Sequence, residues 1–272
     1  MPSAPDDAAA ERMRRAHRTA ASALFVTAEP AETWGWEGKT LSKPAKDRLW
    51  LRLAAVPADK VATSSWDGPE MAEKLIPHGV PRPGLRGVHE WNDGIYAYRA
   101  ELYDRLKGEP VSKGPLPPEV LDLPDSWWAS LRRALAVVSS VPTDRVAVRQ
   151  QRLHWAMPQF IRADVQTQVP EWTTAHADIQ WSNLVGPELS IIDWERWGLA
   201  PTGYDAATLY VSSLTVPEVA KKVWHCFGSV LDSPAGRFSQ LVAASEYIQG
   251  IQRGNNLELE APLRKLIAQL LV

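Results

Sequence analysis

Residues 176–184 read HADIQWSNL, and residues 191–195 read IIDWE. His176, Asp178 and Asn183 thus stand ahead of a second acid, Asp193. Between Asn183 and Asp193 runs LVGPELSII, in which GPE is a turn signal between two apolar runs. The pattern predicts a hairpin, with Asn183 carried into its first strand and Asp193 out of its second. The two side chains then lie close in space although they stand ten positions apart in sequence. An amide oxygen and a carboxylate are hard oxygen ligands of the kind that suits Mg2+. Asp178 precedes Asn183 by one tight loop and points at the same space. A carboxylate beside a metal–phosphate site can accept a hydroxyl proton or orient that hydroxyl.

Groups of this kind need elements to hold them. Residues 49–53 suit a strand, and GIYAYRAELYD (94–104) alternates as a half-buried strand does. DGPEMAEKLI (67–76) reads as a short helix, with Asp67 as its cap and Pro69 in its first turn. The glycines and prolines of KGEPVSKGPLPPEV (107–120) break any regular element. Beyond them SWWASLRRALAVVSS, QQRLHWAMPQFI, VPEVAKKVWHCFGSVL, AGRFSQLVAASEYIQGI and APLRKLIAQLLV all follow the helical period. The expected fold class is α+β. A small β-rich N-terminal lobe covers residues 1–104, and a larger, mainly helical C-terminal lobe covers 105–272 and contains the motif. DDAAAERMRRAHRTAASALFV, at the N-terminus, reads as a surface helix opened by an acidic cap rather than as a signal peptide.

Composition narrows the class of function. The chain has 272 residues, 45% of them apolar and 23% charged, which suits a folded domain with a sizeable core. A net charge of -2 gives no electrostatic case for nucleic acid or an anionic membrane. The single cysteine, Cys226, allows no intrachain disulfide and fits a reducing cytoplasm, where it is expected to be buried and inert. No apolar run is long enough to span a bilayer. GKT at 38–40 is not a P-loop: the position five before Gly38 is Thr33, so GWEGKT is expected to be a turn.

HADIQWSN resembles the catalytic loop of the aminoglycoside phosphotransferase and choline kinase group, whose fold is similar to that of protein kinases. IIDWE resembles that group's metal-binding acidic segment. The resemblance implies that Asp178 is the catalytic acid, that Asn183 and Asp193 are the metal ligands, and that Asp205 in GYDAATL holds the catalytic loop, although Asp205 could merely cap a helix. In the smaller lobe WLRL resembles the strand that carries a basic residue to the nucleotide phosphates, which makes that residue Arg52. Its ion-pair partner is expected on the following helix, with Glu70 favoured and Glu73 open. YDRLKGEP resembles the hinge, placing adenine near Asp104, Arg105 and Leu106. Ala177 stands where the group usually has Gly, and GWEGKT resembles its Gly-Trp-acid turn without being a GxGxxG loop.

The resemblance covers roughly residues 30–210 and is strongest from 174 to 210. It implies a kinase that moves the γ-phosphate of ATP or GTP, with Mg2+, to a hydroxyl of an aminoglycoside-like compound or another hydroxylated metabolite or natural product. Its partners are then a nucleoside triphosphate and a hydroxylated small molecule. From Asp205 onward six acids face six bases, a balance that does not favour a polycationic acceptor. A catalytically inactive nucleotide-binding protein of the same fold is the alternative. A metal-dependent hydrolase needs a denser His/Asp ligand set than His176 supplies. His176 reads as structural. Glu195 either reaches the site or pairs with Arg196, and Trp181 and Trp194 are the aromatic residues placed to touch a ligand.

Overall fold

Along β3 (Leu49–Pro57) Leu51, Leu53 and Ala55 are buried, while Trp50, Arg52 and Ala54 alternate with them and are half-buried. That period of two puts an apolar row on one face of the strand and Arg52 on the other. In the computed structural model, which describes residues 3–61 and 66–272, this strand is central to an antiparallel sheet of order β1-β2-β3-β5-β4. The others are β1 (Thr33–Trp34), β2 (Thr40–Ala45), β4 (Leu85–Asn92) and β5 (Tyr96–Asp104). Register pairs Leu51 with Leu102, Leu53 with Ala100 and Ala55 with Tyr98, so the apolar rows of β3 and β5 share a face.

Helix α1 (Asp7–Ala23) covers that face. Asp6 caps it, accepting the N–H of Ala9 at 2.9 Å. Met13, Ala16 and Ala20 recur at helical spacing and enter one core with Leu41, Leu51, Leu53, Tyr98, Ala100 and Leu102. The acidic cap is as the sequence implies, but the helix is not merely a surface one. Its apolar stripe closes the core, while Glu11 and Arg18 pair in solvent on its other side. Helix α2 (Gly68–Leu75) completes the described elements here, and residues 62–65, which precede it, lie outside the described residues.

The chain divides into two units, Met1–Lys74 with Arg82–Lys107, and Leu75–Pro81 with Gly108–Val272. The division falls after Lys107 rather than after Asp104, and the second unit recruits 75–81, where the Pro81 carbonyl accepts the N–H of Ile191 at 2.8 Å. The second unit holds α3 (Asp125–Ser139), α4 (Gln150–Phe160), α5 (Tyr204–Ser212), α6 (Pro217–Leu231), α7 (Pro234–Gln252) and α8 (Glu260–Leu270). Each matches a segment of helical period in the sequence except α5, which is short. Helix α7 packs against α4, α5, α6 and α8 and is buried on most sides. Two small β elements complete the unit. One is the ribbon of β7 (Trp172–Ala175) with β10 (Gly198–Pro201). The other is the set β6 (Glu109–Pro110), β8 (Leu184–Gly186) and β9 (Ser190–Ile191) in the order β6-β8-β9. No helix among the described residues is long and apolar enough to cross a membrane.

Candidate active site

The β7–β10 ribbon delivers the HAD triplet: Ala175 pairs with Gly198, and the chain then leaves the ladder at His176. Asp205, in the first turn of α5, receives it. Its two carboxylate oxygens accept the backbone N–H groups of His176 and Ala177, each at 2.8 Å. Asp205 therefore clamps the loop, and the cap residue of α5 is Gly203. Burial pushes the Asp205 carboxyl up to about 6 against the pull of those two N–H donors. Ala177 has φ 64°, the left-handed region where a Cβ costs about 1–2 kcal/mol. The clamp on both neighbouring amides holds it there, which is why the glycine of the resembling loops fits this position.

His176 is fully buried, and its Nε2 lies 3.1 Å from the Ile192 carbonyl. Burial drives its pKa down to about 3, so the ring is neutral and Nε2 carries the proton that it donates. Nδ1 is buried without a hydrogen-bond partner, and the Trp194 ring packs edge-on at 4.6 Å. His176 thus ties the HAD loop to the segment before Asp193 and is structural. The two watched tryptophans are structural as well. Trp181 is fully buried, donates to Ser213 Oγ at 3.0 Å and packs on Trp127 and Trp128. Trp194 donates to the Ile191 carbonyl at 2.9 Å.

The hairpin predicted between Asn183 and Asp193 is present. Leu184 pairs with Ile191 and Val185 with Ser190, and the Ile192 N–H donates to the Asn183 carbonyl at 3.0 Å. Asp193 is thereby the next residue after one bonded directly to Asn183, and its φ of 67° turns its side chain away from the strand path. Asn183 Nδ2 donates to the Asp178 carbonyl oxygen at 2.9 Å and to Asp178 Oδ2 at 3.0 Å. Both partners only accept, so the amide nitrogen must face them and Oδ1 faces away. Among the described residues Oδ1 has no hydrogen-bond partner. An amide oxygen directed away from its own loop, with a carboxylate one residue beyond its backbone partner, fits a divalent cation that takes oxygen ligands. Beyond Asp193 the chain is pinned by Arg145, whose guanidinium donates to the carbonyls of Trp197 at 3.2 Å and Glu195 at 3.3 Å.

Burial raises the pKa of Asp178, while the Arg196 charge and the Asn183 hydrogen bond pull it down. Arg196 is raised, because Tyr204, Glu246, Asp178 and Asp193 together outweigh the burial that opposes its charge. It forms no ion pair with Glu195. Tyr204 donates to Glu246 Oε2 at 2.6 Å, and burial raises its own pKa well above the ordinary phenol value. Cys226 is half-buried, 3.6 Å from the Trp128 carbonyl, with its thiol pKa raised by burial.

In the first unit Arg52 donates to Glu101 Oε2 at 3.1 Å, directly across the β3–β5 pair. This replaces the expected partner on the helix. Glu70 is taken by Arg99 at 3.0 Å and Glu73 lies 3.6 Å from Arg82. The physical reason is register: Glu101 faces Arg52 across one ladder step, is buried, and is shared by Arg99 and Tyr103 Oη. The Asp104 carboxylate is engaged by Arg86 at 2.9 and 2.7 Å. Leu106, in contrast, has neither its N–H nor its carbonyl bonded among the described residues. GWEGKT is the β1–β2 turn, closed by Gly35 N–H to the Thr40 carbonyl at 3.0 Å.

Sequence reasoning missed Glu101, Arg99, Arg196, Tyr204 and Glu246. For the first two a signal existed: Arg99 and Glu101 recur with period two in a strand otherwise apolar on that scale. The others come from a long-range approach of α5, α7 and the segment before β10, which leaves no local mark.

No protein-family model matches the chain, and no curated sequence matches it. Solved structures of similar fold do. A thermostable mutant of the aminoglycoside phosphotransferase APH(4)-Ia, in ternary complex with AMP-PNP and hygromycin B, matches with a TM-score of 0.63 at 11% identity, over 94% of this chain and 97% of that one. The choline kinase LicA from Streptococcus pneumoniae matches with a TM-score of 0.59 at 9% identity, over 95% and 99%. Amicoumacin kinase hAmiN, in complex with AMP-PNP, Ca2+ and Ami, matches with a TM-score of 0.53 at 11% identity, over 94% and 92%. At such identities the likeness is one of fold, and it is the kinase-like fold that the sequence motifs imply.

Proposed function

We propose that the chain is a phosphotransferase that moves the terminal phosphoryl group of a nucleoside triphosphate, ATP or GTP, to a hydroxyl of a small molecule with the help of Mg2+. The observation that carries this reading is the Asp178–Asn183 pair. A partly buried carboxylate is fixed by an amide whose own oxygen is left facing away from the loop, and that loop is clamped by Asp205. Proteins of similar fold bind AMP-PNP together with hygromycin B, or with Ca2+ and Ami, and this supports the same pairing of ligands here.

Phosphoryl transfer asks the protein for position and charge rather than covalent chemistry. Asp178 accepts the acceptor's hydroxyl proton, and Asn183 keeps one of its oxygens pointed by hydrogen bonding. Asn183 Oδ1 and the Asp193 carboxylate would hold the cation. A divalent ion there supplies neutralisation of charge on the phosphate oxygens. Among the described residues no three His, Cys, Asp or Glu side chains gather to hold a metal, so Asn183 and Asp193 are the protein side chains that would hold it. Arg52, oriented by Glu101, binds phosphate oxygens as a fork of donors. The unpaired N–H and carbonyl of Leu106 bind the base edge, a role that Asp104 can share only through its carbonyl, because its carboxylate belongs to Arg86 and its N–H to the Gly84 carbonyl. Glu70 orders Arg99, and through it the acid that orients Arg52.

Turnover of MgATP and MgGTP against a panel of hydroxylated acceptors, read by 31P NMR, tests the proposal. A new phosphate monoester with equimolar nucleoside diphosphate is the expected product. Nucleotide hydrolysis with no ester formed from any acceptor, at a rate indifferent to Asp178→Asn, contradicts it.

A further inference from the structure

Beside Asp178 the second unit carries a cleft of about 520 Å3, lined by Ala147, Val148, Arg149 and Arg152 around the start of α4, by Arg196, and by Glu246 and Gln249 of α7. The size suits a small-molecule ligand. Its charge is one-sided: three guanidinium groups face a single carboxylate. That carboxylate is already bonded to Tyr204 at 2.6 Å. Among the described residues neither Arg149 nor Arg196 has an ion-pair partner. Arg152 is held by Gln249 Oε1 and by the Trp155 ring, 4.4 Å from its guanidinium. Both are neutral, so its position is fixed without its charge being cancelled.

Glu246 is bonded to Tyr204, whose chain neighbour Asp205 clamps the Ala177 N–H next to Asp178, and Arg196 stands two residues before Gly198, which pairs with Ala175, so the cleft lies by the proposed proton acceptor. We infer that this cleft is the acceptor site and that it selects a hydroxylated small molecule bearing a carboxylate or a phosphate, not a polycation. The inference rests on the phosphotransfer reading. The carboxylates of Glu246, Asp178 and Asp193 act on Arg196, so the uncancelled charge is chiefly that of Arg149 and Arg152, and clustered guanidinium groups of this kind bind oxyanions through charge-assisted, often bidentate bonds and repel amines. With the anionic group held by Arg149, Arg152 and Arg196, a hydroxyl of the same molecule reaches Asp178. Its oxygen forms the bond to the γ-phosphorus, the bridging bond to the β-phosphate breaks, the nucleoside diphosphate leaves, and the hydroxyl proton passes to the Asp178 carboxylate.

The test uses the full chain with Mg2+ and AMP-PNP bound, and titrates four polyhydroxylated probes calorimetrically: gluconate, glucose 6-phosphate, glucose and kanamycin. One or both anions are expected to bind at least about tenfold more tightly than glucose, and kanamycin not to compete. Arg149→Gln and Arg196→Gln are each expected to cut the anion-to-glucose affinity ratio about tenfold, as loss of a charged hydrogen bond does. Gluconate alone marks a carboxylate acceptor and glucose 6-phosphate alone a phosphate ester. Kanamycin or glucose binding as tightly as the anions, no anion binding with nucleotide in place, or a ratio untouched by both substitutions overturns the inference while leaving phosphotransfer standing. Absence of AMP-PNP binding in the first titration is a different failure, that of the phosphotransfer reading, and takes this one with it.

Discussion

Asp178 combines two requirements of a proton acceptor in this setting: burial that raises its pKa, and a fixed amide partner that keeps one oxygen aimed. Asp178→Asn should lower kcat by about 10²–10⁴ and remove an acidic limb of the pH–rate profile lying above the usual aspartate range; steady-state kinetics across pH measures both. His176 affects stability instead. Its folded pKa of about 3 lies below the unfolded 6.5, so its contribution is present above pH 6.5 and lost as pH falls towards 3. Asp205 runs the other way, with a folded value near 6 that favours the folded state as pH falls. The His176 shift is the larger. His176→Gln should therefore lose less stability on acidification than wild type, by about 1.4 kcal/mol per pH unit below 6.5, read from urea midpoints. At this scale the spacing of Asp178, Asn183 and Asp193 was legible, since a hairpin of that length joins its ends. The partner of Arg52 was not, because it depends on which β5 residue lies opposite, and the nearby helix acids are taken by Arg99 and Arg82.

At the level of elements the site depends on two loops tied to one another and to α5. Asp205→Ala removes two charge-assisted bonds to buried amides and should cost about 3–5 kcal/mol, measurable by chemical denaturation, with catalysis falling as the loop loosens. Trp181→Ala empties the space against Trp127 and Trp128 and should cost about 3–5 kcal/mol. A loss below about 1 kcal/mol would mean that the ring does not anchor the loop. Most helices from α3 onward were legible from apolar residues at the 3.6 period, but α5 is too short to show it and α7, buried on most sides, keeps no single stripe. The β7–β10 ribbon was not: four-residue strands that pair across a long stretch of chain carry no local signature. Helix α1 was found but its burial was not, since the sheet that covers its stripe is assembled from strands far along the chain.

At the level of the whole molecule, each unit has its own core and its own share of the proposed chemistry: Arg52 and Leu106 in the first, Asp178, Asn183 and Asp193 in the second. The α+β class was readable from the change of period along the sequence, and the recruitment of 75–81 into the second unit was not, because it depends on contacts with residues far along the chain, such as the backbone bond from Ile191 to Pro81. A ligand bound only by the folded state raises its stability by mass action, about 2.7 kcal/mol at a hundred times its Kd. For a chain of this length that is a Tm shift on the order of 5–10 °C. The measurement to make is therefore thermal unfolding with ATP and with GTP, with and without Mg2+, in wild type and in Asp193→Ala. Each protein is compared with its own nucleotide-free midpoint, since Ala is strained at the φ of 67° that Asp193 adopts. A shift in wild type that requires Mg2+ and disappears in Asp193→Ala is the predicted result. A shift of equal size without Mg2+, one that survives in Asp193→Ala, or none with either nucleotide contradicts the account.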